Sequence, residues 1–397
     1  MRRRPVQVLA VLLAVLLIGQ LGVLGYLHFA KEPEPVLAEP VTEPTSEPTT
    51  EPTTEPTTEP TTEPPTEPTE PPQTSVTLTF TGDCTLGSLP SLFTVDQCFV
   101  PTVGEDYGYC FRNFADVFSA DDLTMINLES VFADSGVPSE KLFAFRGPTE
   151  YINILTSSSV EAVTLANNHT LDFGTDGYES TKQTLEGGGV AYVEQNGSAI
   201  YTTEGGLVVG LYAAAFVRDD ADMRQEIASL KEQGAQIVVA AIHWGEEGYY
   251  RPLPAQTAWA HDLIDAGADI VWGNHPHTLQ PIEYYNDGVI FYSLGNFSFG
   301  GNNFPLDLDA AVLQQEVVLD ENGKASLGAL TIIPCSISSM PVQNNFQPTP
   351  YEVDSPEYLR AMSKLDGSYK GANLVVNYDK LQPTTPPAEE AAPPAEP

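Results

Sequence analysis

Between Val76 and about Lys380, apolar and polar residues alternate between the period of a strand and that of a helix. Apolar runs rich in β-branched residues predict the strands SVTLTFTGD, LTMINLES, SVEAVTLANNH, GLVVGLYAAA, AQIVVAAIHWG, ADIVWGNHPH and GVIFYSLGNF. Helices are predicted around Tyr151 to Ser157 and in GYESTKQTLEGGG, MRQEIASLKEQG and QTAWAHDLIDAG. The stretch AAVLQQEVVLDENGKASLGALTIIPCSI predicts a β-hairpin that turns at Glu-Asn-Gly. Strands alternating with helices indicate an α/β architecture with helix-covered sheets.

Polar residues of the kind that bind metals stand at the ends of nearly all of these strands. In open α/β sheets, ligands bind beyond the carboxyl ends of the strands. We therefore expect these side chains to meet at one site, and they are Asp83, Asn127, Glu129, Asn168, His169, His243, His275, His277 and Asn296.

Four of the six histidines belong to this set, whereas His28 lies in an apolar run and His261 in a predicted helix. Imidazole, carboxylate and amide groups together suit one or two divalent metal ions, with Mn, Zn or Fe the best match. On an extended segment, the side chains of His275 and His277 would point to one side, because side chains alternate along a strand. A single histidine in a turn usually makes only a local hydrogen bond, but four at strand ends favour metal binding.

Several roles around this site stay open. Two metals bridged by a carboxylate would hold a phosphate-like group and activate a water. If the Asn168 oxygen binds metal, the adjacent His169 is free to act as a general acid, and metal ligation is its alternative role. Asp172 either hydrogen-bonds an imidazole or caps the following helix. Glu247 is either a site carboxylate or a solvated loop charge, and Asn296 either contacts the site or holds a turn.

Residues 1–30 have the pattern of a membrane anchor. Three arginines precede an apolar run from Val8 to Ala30, which is about the length that spans a bilayer. The positive-inside rule then places the rest of the chain outside the cell membrane. A signal peptide cleaved after Val36-Leu37-Ala38 is the alternative.

Two low-complexity segments flank the predicted domain. Residues 31–75 repeat Thr-Thr-Glu-Pro, which predicts an extended stalk because proline prevents helix formation and the glutamates repel one another. Residues 381–397 are rich in Pro, Glu and Ala and predict a disordered tail. The sequence therefore predicts a single-pass cell-membrane protein with an extracellular domain at 76–380.

The formal net charge of -37 excludes nucleic-acid binding through a basic groove. An acidic surface is typical of an exposed protein and is compatible with handling an anionic polymer through metal ions. Cys84, Cys98, Cys110 and Cys335 allow three disulfide pairings, and a Cys98–Cys110 bridge across a Pro/Gly-rich loop is one option. Cys84 is either a substitute metal ligand or a buried structural residue.

Six runs in order resemble the bacterial CapA family of capsule (poly-γ-glutamate) synthesis proteins. They are GDCTLG, INLES, TLANNHTLDFG, AIHWGEE, GNHPHTLQPIEYY and FYSLGNFSFG. The resemblance implies a four-layer α/β sandwich of the metallophosphoesterase type and a membrane-bound polymer synthase as partner. It also implies a catalytic or phosphate-contacting role for His169, with metal ligands at Asp83, Glu129, Asn168, His243, His275 and His277.

Two departures from the metallophosphoesterase pattern weaken the first metal position. Gly82-Asp83-Cys84-Thr85 lacks the histidine of the usual Asp-x-His pair, and Asn127-Leu128-Glu129 replaces the usual Gly-Asp. Two function hypotheses follow. The chain is either a surface-anchored, metal-dependent hydrolase of a phosphoester or γ-glutamyl amide, or a non-catalytic component that binds an anionic polymer in a capsule assembly. A purely structural adhesin would not need the clustered ligand-type residues.

Overall fold

The computed structural model describes residues 74–216 and 221–376, which form a mixed α/β fold. The strands are β1 (Thr74–Thr85), β2 (Leu123–Leu128), β3 (Val131–Phe132), β4 (Arg146–Gly147), β5 (Ala162–Thr164), β6 (Ala191–Val193), β7 (Gly197–Thr202), β8 (Val208–Ala215), β9 (Ile237–His243), β10 (Ile270–Asn274), β11 (Leu279–Tyr285), β12 (Gly288–Leu294), β13 (Asn296–Phe299), β14 (Asp309–Leu319), β15 (Ala325–Ser336) and β16 (Thr349–Pro350). The α-helices are α1 (Phe99–Val103), α2 (Ala115–Phe118), α3 (Ile152–Thr156), α4 (Gly174–Gly188), α5 (Ala221–Glu232), α6 (Pro254–Asp265) and α7 (Pro356–Leu365).

Two large sheets carry the fold. The first sheet has the order β16-β15-β14-β1-β2-β5-β6, with β13 also paired to β1, and the second sheet has the order β11-β12-β10-β9-β8-β7. Strands β1, β2, β5 and β6 run parallel, and so do β8, β9, β10 and β12. Parallel strands end at a common edge, so each sheet gathers its strand-end residues in one place.

The two sheets face each other across a buried core. In β9, Ile237 and Val239 point into this core, whereas Val238 points to the opposite face, as the two-residue period of a strand requires. From β1, the ring of Phe80 meets the rings of Trp272 and Phe291 edge-on, each at a centroid distance of 5.6 Å. Apolar side chains from both sheets therefore stabilise one shared interior.

Helices cover the outer face of each sheet, as the sequence predicted. Outward residues of the first sheet, such as Ile126, lie in a cluster with Phe118 of α2 and Leu185 of α4. On the second sheet, Val238 lies in a cluster with Ile227 of α5. The predicted hairpin is also confirmed, because β14 and β15 pair antiparallel around a turn at 320–324.

A glycine contact brings β1 against the loop before β13. A Cβ atom on Gly82 would lie 2.2 Å from the carbonyl oxygen of Gly295, so only glycine permits this approach. The amide of Asp83 donates to that same carbonyl over 2.9 Å. This contact fixes Asp83 at the edge where the second sheet meets the first.

The predicted membrane anchor and tail lie outside the described residues, as does the predicted stalk up to residue 73. Within the two described ranges, no helix combines the length and apolar character needed to cross a membrane. All four cysteines are buried free thiols, so the Cys98–Cys110 bridge does not form. Cys84 lies in the apolar cluster outside the first sheet, which agrees with a structural role.

Candidate metal centre

The strand ends of both sheets meet in one cluster of ligand-type side chains. From the first sheet come Asp83 within β1 and Glu129 one residue past β2. The second sheet contributes His243 at the end of β9 and two histidines just past β10. The ligand atoms in each of three groups lie within 4.8 Å of one another, and the groups are Glu129/His243/His275, Asp83/Glu129/His277 and Glu247/His275/His277. The predicted convergence of distant strand ends is therefore present in the fold.

Glu129 belongs to two of these groups and lies between their imidazoles. Its Oε1 is 3.5 Å from His243 Nε2 and 4.0 Å from His277 Nε2. The residue is 1% exposed, and among the described residues neither carboxylate oxygen has a hydrogen-bond partner. Burial without hydrogen bonds disfavours the charged carboxylate and raises the pKa of Glu129 well above its usual value, so a positive charge beside it would favour the ionised form. The Nδ1 of His275 is also buried without a hydrogen-bond partner in the described ranges. These orphaned atoms fit a divalent cation.

Asn168 adds an amide oxygen to the Glu129/His243/His275 group. Its Oδ1 lies 2.8 Å from His243 Nε2. The resulting set of one carboxylate, one amide and two imidazoles matches borderline divalent metals. These four residues could hold one cation together.

Asp83 is more fully occupied by other contacts. Its Oδ1 accepts a hydrogen bond from Asn127 Nδ2 over 2.8 Å, and its Oδ2 accepts one from the His275 amide over 3.1 Å. The same Oδ2 lies 3.2 Å from His277 Nδ1, which is also 2.9 Å from Asn296 Oδ1. Asn127 and Asn296 therefore hold the Asp83 side of the site together.

The expectation of an extended His-x-His segment is wrong. Strand β10 ends at Asn274, and His275 and His277 have φ angles of 97° and 54°. The chain turns here, and the turn is held by a hydrogen bond from Gly248 N to Pro276 O of 2.8 Å. Both histidines still reach the site, but through a turn rather than through strand alternation. Positive φ values are unfavourable for residues with a Cβ and occur often at functional sites.

The cluster separates the histidines into two charge states. Burial lowers the pKa of His243 well below its usual value and that of His275 to about 4. Burial alone would also lower the pKa of His277, but Glu129 and Asp83 outweigh it and raise this pKa to about 10. Neutral imidazoles are the form that binds metals, so His243 and His275 are ready to do so at neutral pH.

His169 pairs with Asp172 beside the cluster. The distance from His169 Nδ1 to Asp172 Oδ2 is 2.7 Å, and Asp172 Oδ2 also accepts from Phe145 N. Asp172 does not cap α4, because Phe173 holds the cap position without a side-chain hydrogen bond. The carboxylate therefore orients an imidazole, which was one of its two predicted roles.

Two residues of this region escaped the sequence analysis as site residues. Lys141 forms an ion pair with Asp172 and donates to Asn168 O over 2.7 Å. Asn167 donates to Asn127 Oδ1 over 3.0 Å and accepts from His169 N over 3.0 Å. The run Asn-Asn-His pointed to the second asparagine, but no sequence signal marked Lys141.

A cavity of about 580 Å³ opens above the cluster. Glu129, His169, His277 and Asn296 form part of its lining, and Glu247 also faces it. The site is therefore accessible to a ligand the size of a small organic molecule. Glu247 lies on the site side of its loop, which was one of the two roles left open for it.

Comparison with known sequences gives a consistent result. Residues 77–301 match the family model described as bacterial capsule synthesis protein PGA_cap. The chain is 28% identical to a capsule biosynthesis protein CapA of Bacillus anthracis, covering 77% of each chain. It is 30% identical to a PGA biosynthesis protein CapA of Bacillus subtilis (strain 168), covering 65% of this chain and 72% of that one.

Among solved structures, the chain is similar to the NAD nucleotidase of Haemophilus influenzae. The TM-score is 0.38 at 12% identity, covering 78% of this chain and 66% of that one.

Proposed function

Since the chain belongs to the bacterial capsule synthesis protein PGA_cap family, we propose that it takes part in the synthesis or export of a poly-γ-glutamate-type capsule polymer through a metal-dependent hydrolase-type site. The names of two relatives, a capsule biosynthesis protein and a PGA biosynthesis protein, support the biological process. The matched residues, 77–301, include every candidate residue of the site from Asp83 to Asn296.

The observation that carries the proposal is the orphaned carboxylate of Glu129. It lies among imidazoles delivered by the second sheet and has no hydrogen-bond partner in the described part of the chain. We assign Glu129, Asn168, His243 and His275 to the first cation. Asp83, His277 and the shared Glu129 would hold a second, which would displace the proton that the two carboxylates keep on His277.

A bound divalent cation would polarise the scissile phosphoryl or carbonyl group and supply an activated water. The residues of the chain would provide the proton transfer. Asp172 engages Nδ1 of His169, so Nε2 is the atom left to exchange a proton with a leaving group. It can donate only from the doubly protonated ring, which burial disfavours by lowering the His169 pKa and which the contact with Asp172 favours. Lys141 neutralises Asp172 on its far side and thereby keeps this pair in place.

We assign the arrangement to the four-layer sandwich of the metallophosphoesterase type. Two facing sheets with helices on both outer sides support this assignment. So does the origin of the ligand-type residues at the strand ends of both sheets.

The location that we propose is the outer face of the cell membrane. The apolar run at 8–30, preceded by arginines, supports a single-pass anchor, and the stalk would hold the domain away from the bilayer. A membrane-bound polymer synthase is the partner that this placement favours, and nucleic acid is not a partner for so acidic a chain.

A second candidate function is a non-catalytic component that binds the polymer or assembles the complex. It is favoured by the contacts of Asp83, whose two carboxylate oxygens already accept hydrogen bonds from Asn127 and His275. A site that holds only one cation would bind an anionic group without providing the paired-metal chemistry.

The test uses the full-length chain, measuring metal content and hydrolysis of bis(p-nitrophenyl) phosphate and of γ-glutamyl polymer. We expect His243→Ala to lose metal and activity, and His169→Ala to lose activity only. His261→Ala is the matched control, because His261 lies on α6 and pairs with Glu283 of β11, away from the cluster. If the purified chain contains no metal, both functions are overturned. If it binds metal and polymer but hydrolyses neither substrate, the assembly role is favoured.

A further inference from the structure

The walls of the cavity differ in chemistry from its floor. The floor carries the ligand-type residues, whereas the walls are formed mainly by apolar side chains from four separate segments. These segments contribute Leu89 and Leu92 after β1, Phe143 and Phe145 before β4, Phe299, Phe304 and Leu306 from β13 onward, and Leu374 and Val375 near the end of the described chain.

Aromatic rings extend from the walls to the imidazoles of the floor. The ring of Phe145 is 4.6 Å from that of His169, and the ring of Phe299 is 5.6 Å from that of His277, measured between centroids. A Cβ on Gly301 would lie 2.7 Å from Phe299 and 2.9 Å from Phe145. Because Gly301 lies against both rings, the two wall segments converge at this point.

Several wall side chains are exposed although they are large and apolar. Phe304 is 64% exposed and Leu306 is 65% exposed. A cluster of exposed apolar side chains around a pocket is typical of a binding site, because covering it removes apolar surface from water.

The charged side chains that line the cavity determine which ligands can bind along its walls. Among the described residues that line the cavity, none is a lysine or an arginine. The acidic wall residues are Glu247 and Asp307, and the carboxylate of Asp307 already binds Lys364 over 2.6 Å. A polyanion lying along these walls would find no lysine or arginine there and would meet the carboxylate of Glu247.

We infer that the cavity takes a ligand with a single anionic head at the floor and an uncharged apolar body along the walls, rather than a run of γ-linked glutamates. The inference rests on the proposed function, because it assigns the head to the metal-binding floor. The shared chemistry of aryl and alkyl bodies is their apolar surface, which the phenylalanine and leucine walls would cover.

The test measures dissociation constants of the full-length, Mn²⁺-loaded chain by calorimetry. The probes are methylphosphonate, 1-naphthylphosphonate, octylphosphonate and penta-γ-glutamate, none of which is a phosphoester. We expect the naphthyl or octyl compound to bind at least about tenfold more tightly than methylphosphonate, which corresponds to about 1.4 kcal/mol. The stronger of the two identifies an aryl or an alkyl body.

The variants separate the walls from the floor. Phe304→Ser should remove most of this preference and leave methylphosphonate binding unchanged, and Leu306→Lys should weaken octylphosphonate binding. Tyr284→Ser is the matched control, because Tyr284 is 69% exposed and lies on β11 outside the cavity lining. Both wall residues are exposed, so these variants should fold.

Three outcomes would overturn the inference. The first is equal affinity for methylphosphonate and 1-naphthylphosphonate, and the second is an unchanged preference in Phe304→Ser. The third is tighter binding of penta-γ-glutamate than of both apolar probes. Metal content is measured on the same samples. A chain that holds no Mn²⁺ overturns the proposed function, whereas a metal-loaded chain without a preference for apolar bodies overturns only the inference about the walls.

Discussion

The imidazole of His243 and the side-chain oxygen of Asn168 meet at 2.8 Å, although the two residues are 75 positions apart. Asn168 follows β5 of the first sheet, and His243 ends β9 of the second sheet. Their contact exists only when the two sheets are packed together. The candidate metal centre therefore depends on the interface between the sheets and reports on its integrity.

We predict that Mn²⁺ stabilises the protein through Glu129. At a free concentration of 100 times the dissociation constant, a ligand specific for the folded state raises the free energy of unfolding by about 2.7 kcal/mol. Glu129→Gln should largely lose this gain, because it removes the charge shared by two ligand groups. Urea unfolding with Mn²⁺ and with EDTA measures the difference. Glu321→Gln, an exposed change in the β14–β15 turn, should keep the full gain, and an equal gain in Glu129→Gln would contradict the assignment.

We predict that His169 affects turnover without holding metal. Because Asp172 and not the Glu129 group engages its Nδ1, His169→Gln should retain the metal content of the native chain. Turnover of bis(p-nitrophenyl) phosphate should fall about 10²-fold or more, as expected when a general acid is removed. Asp172→Asn should lower turnover in the same direction by weakening the orientation of His169. Loss of metal in His169→Gln would instead identify it as a ligand.

We predict that Lys364→Met strongly destabilises the domain. The ammonium group of Lys364 is 2.6 Å from Asp307 and 2.7 Å from Asp309, and the lysine is 1% exposed. Removing Lys364 leaves the carboxylate of Asp307 without this cation, although Asp309 keeps the guanidinium of Arg360, and breaking a buried pair costs about 3–5 kcal/mol. Chemical unfolding at pH 7 measures the loss. Lys324→Met, in the exposed hairpin turn, should change stability little, and comparable stability of the two variants would refute this account.

We predict that Glu161→Gln stabilises the protein at alkaline pH. Burial raises the pKa of Glu161 to about 7, against the opposing hydrogen bond from Thr124. Its protonated form is therefore favoured in the folded state, and the associated stability is complete below about pH 4.3 and lost as pH rises through 7. Glu161→Gln should match the native chain at pH 4 and exceed it at pH 8.

The same unfolding series with Glu352→Gln provides the control for Glu161. Glu352 is exposed, so this substitution should leave the difference in stability between pH 4 and pH 8 unchanged. A Glu161→Gln variant that loses stability at pH 8 would show that the carboxylate is favourable in its charged form.

The sequence predicted the elements that carry the site because their signals are local. An apolar run such as the one from Ile237 to Ile242 predicts a buried strand, and the polar residue after it, here His243, marks the end of that strand. Parallel strands in a sheet share a carboxyl edge, so clustering of the strand-end residues followed from topology. The pairing of Asp172 with His169 was also within reach, because the two are three residues apart and share one turn.

Contacts that depend on the tertiary fold could not be predicted from the sequence. The positive φ of His275 arises where the chain turns after β10, and a His-Pro-His run does not encode that turn. Lys141 reaches Asp172 and Asn168 from a long connection whose path depends on packing. The apolar cavity walls come from segments more than 200 residues apart, such as those of Phe143 and Val375, and no local pattern links them.

The position of β1 between β2 and β14 has a practical consequence for expressing parts of this chain. Residues 74–80 pair along one side with 313–319, which lie beyond residue 301, where the family match ends. A fragment that ends at residue 301 would contain every candidate metal ligand. It would still leave one edge of β1, which carries Val76, Leu78 and Phe80, without its partner strand. Unpaired edges of this kind recruit other chains, so such a fragment should precipitate rather than yield a soluble minimal domain.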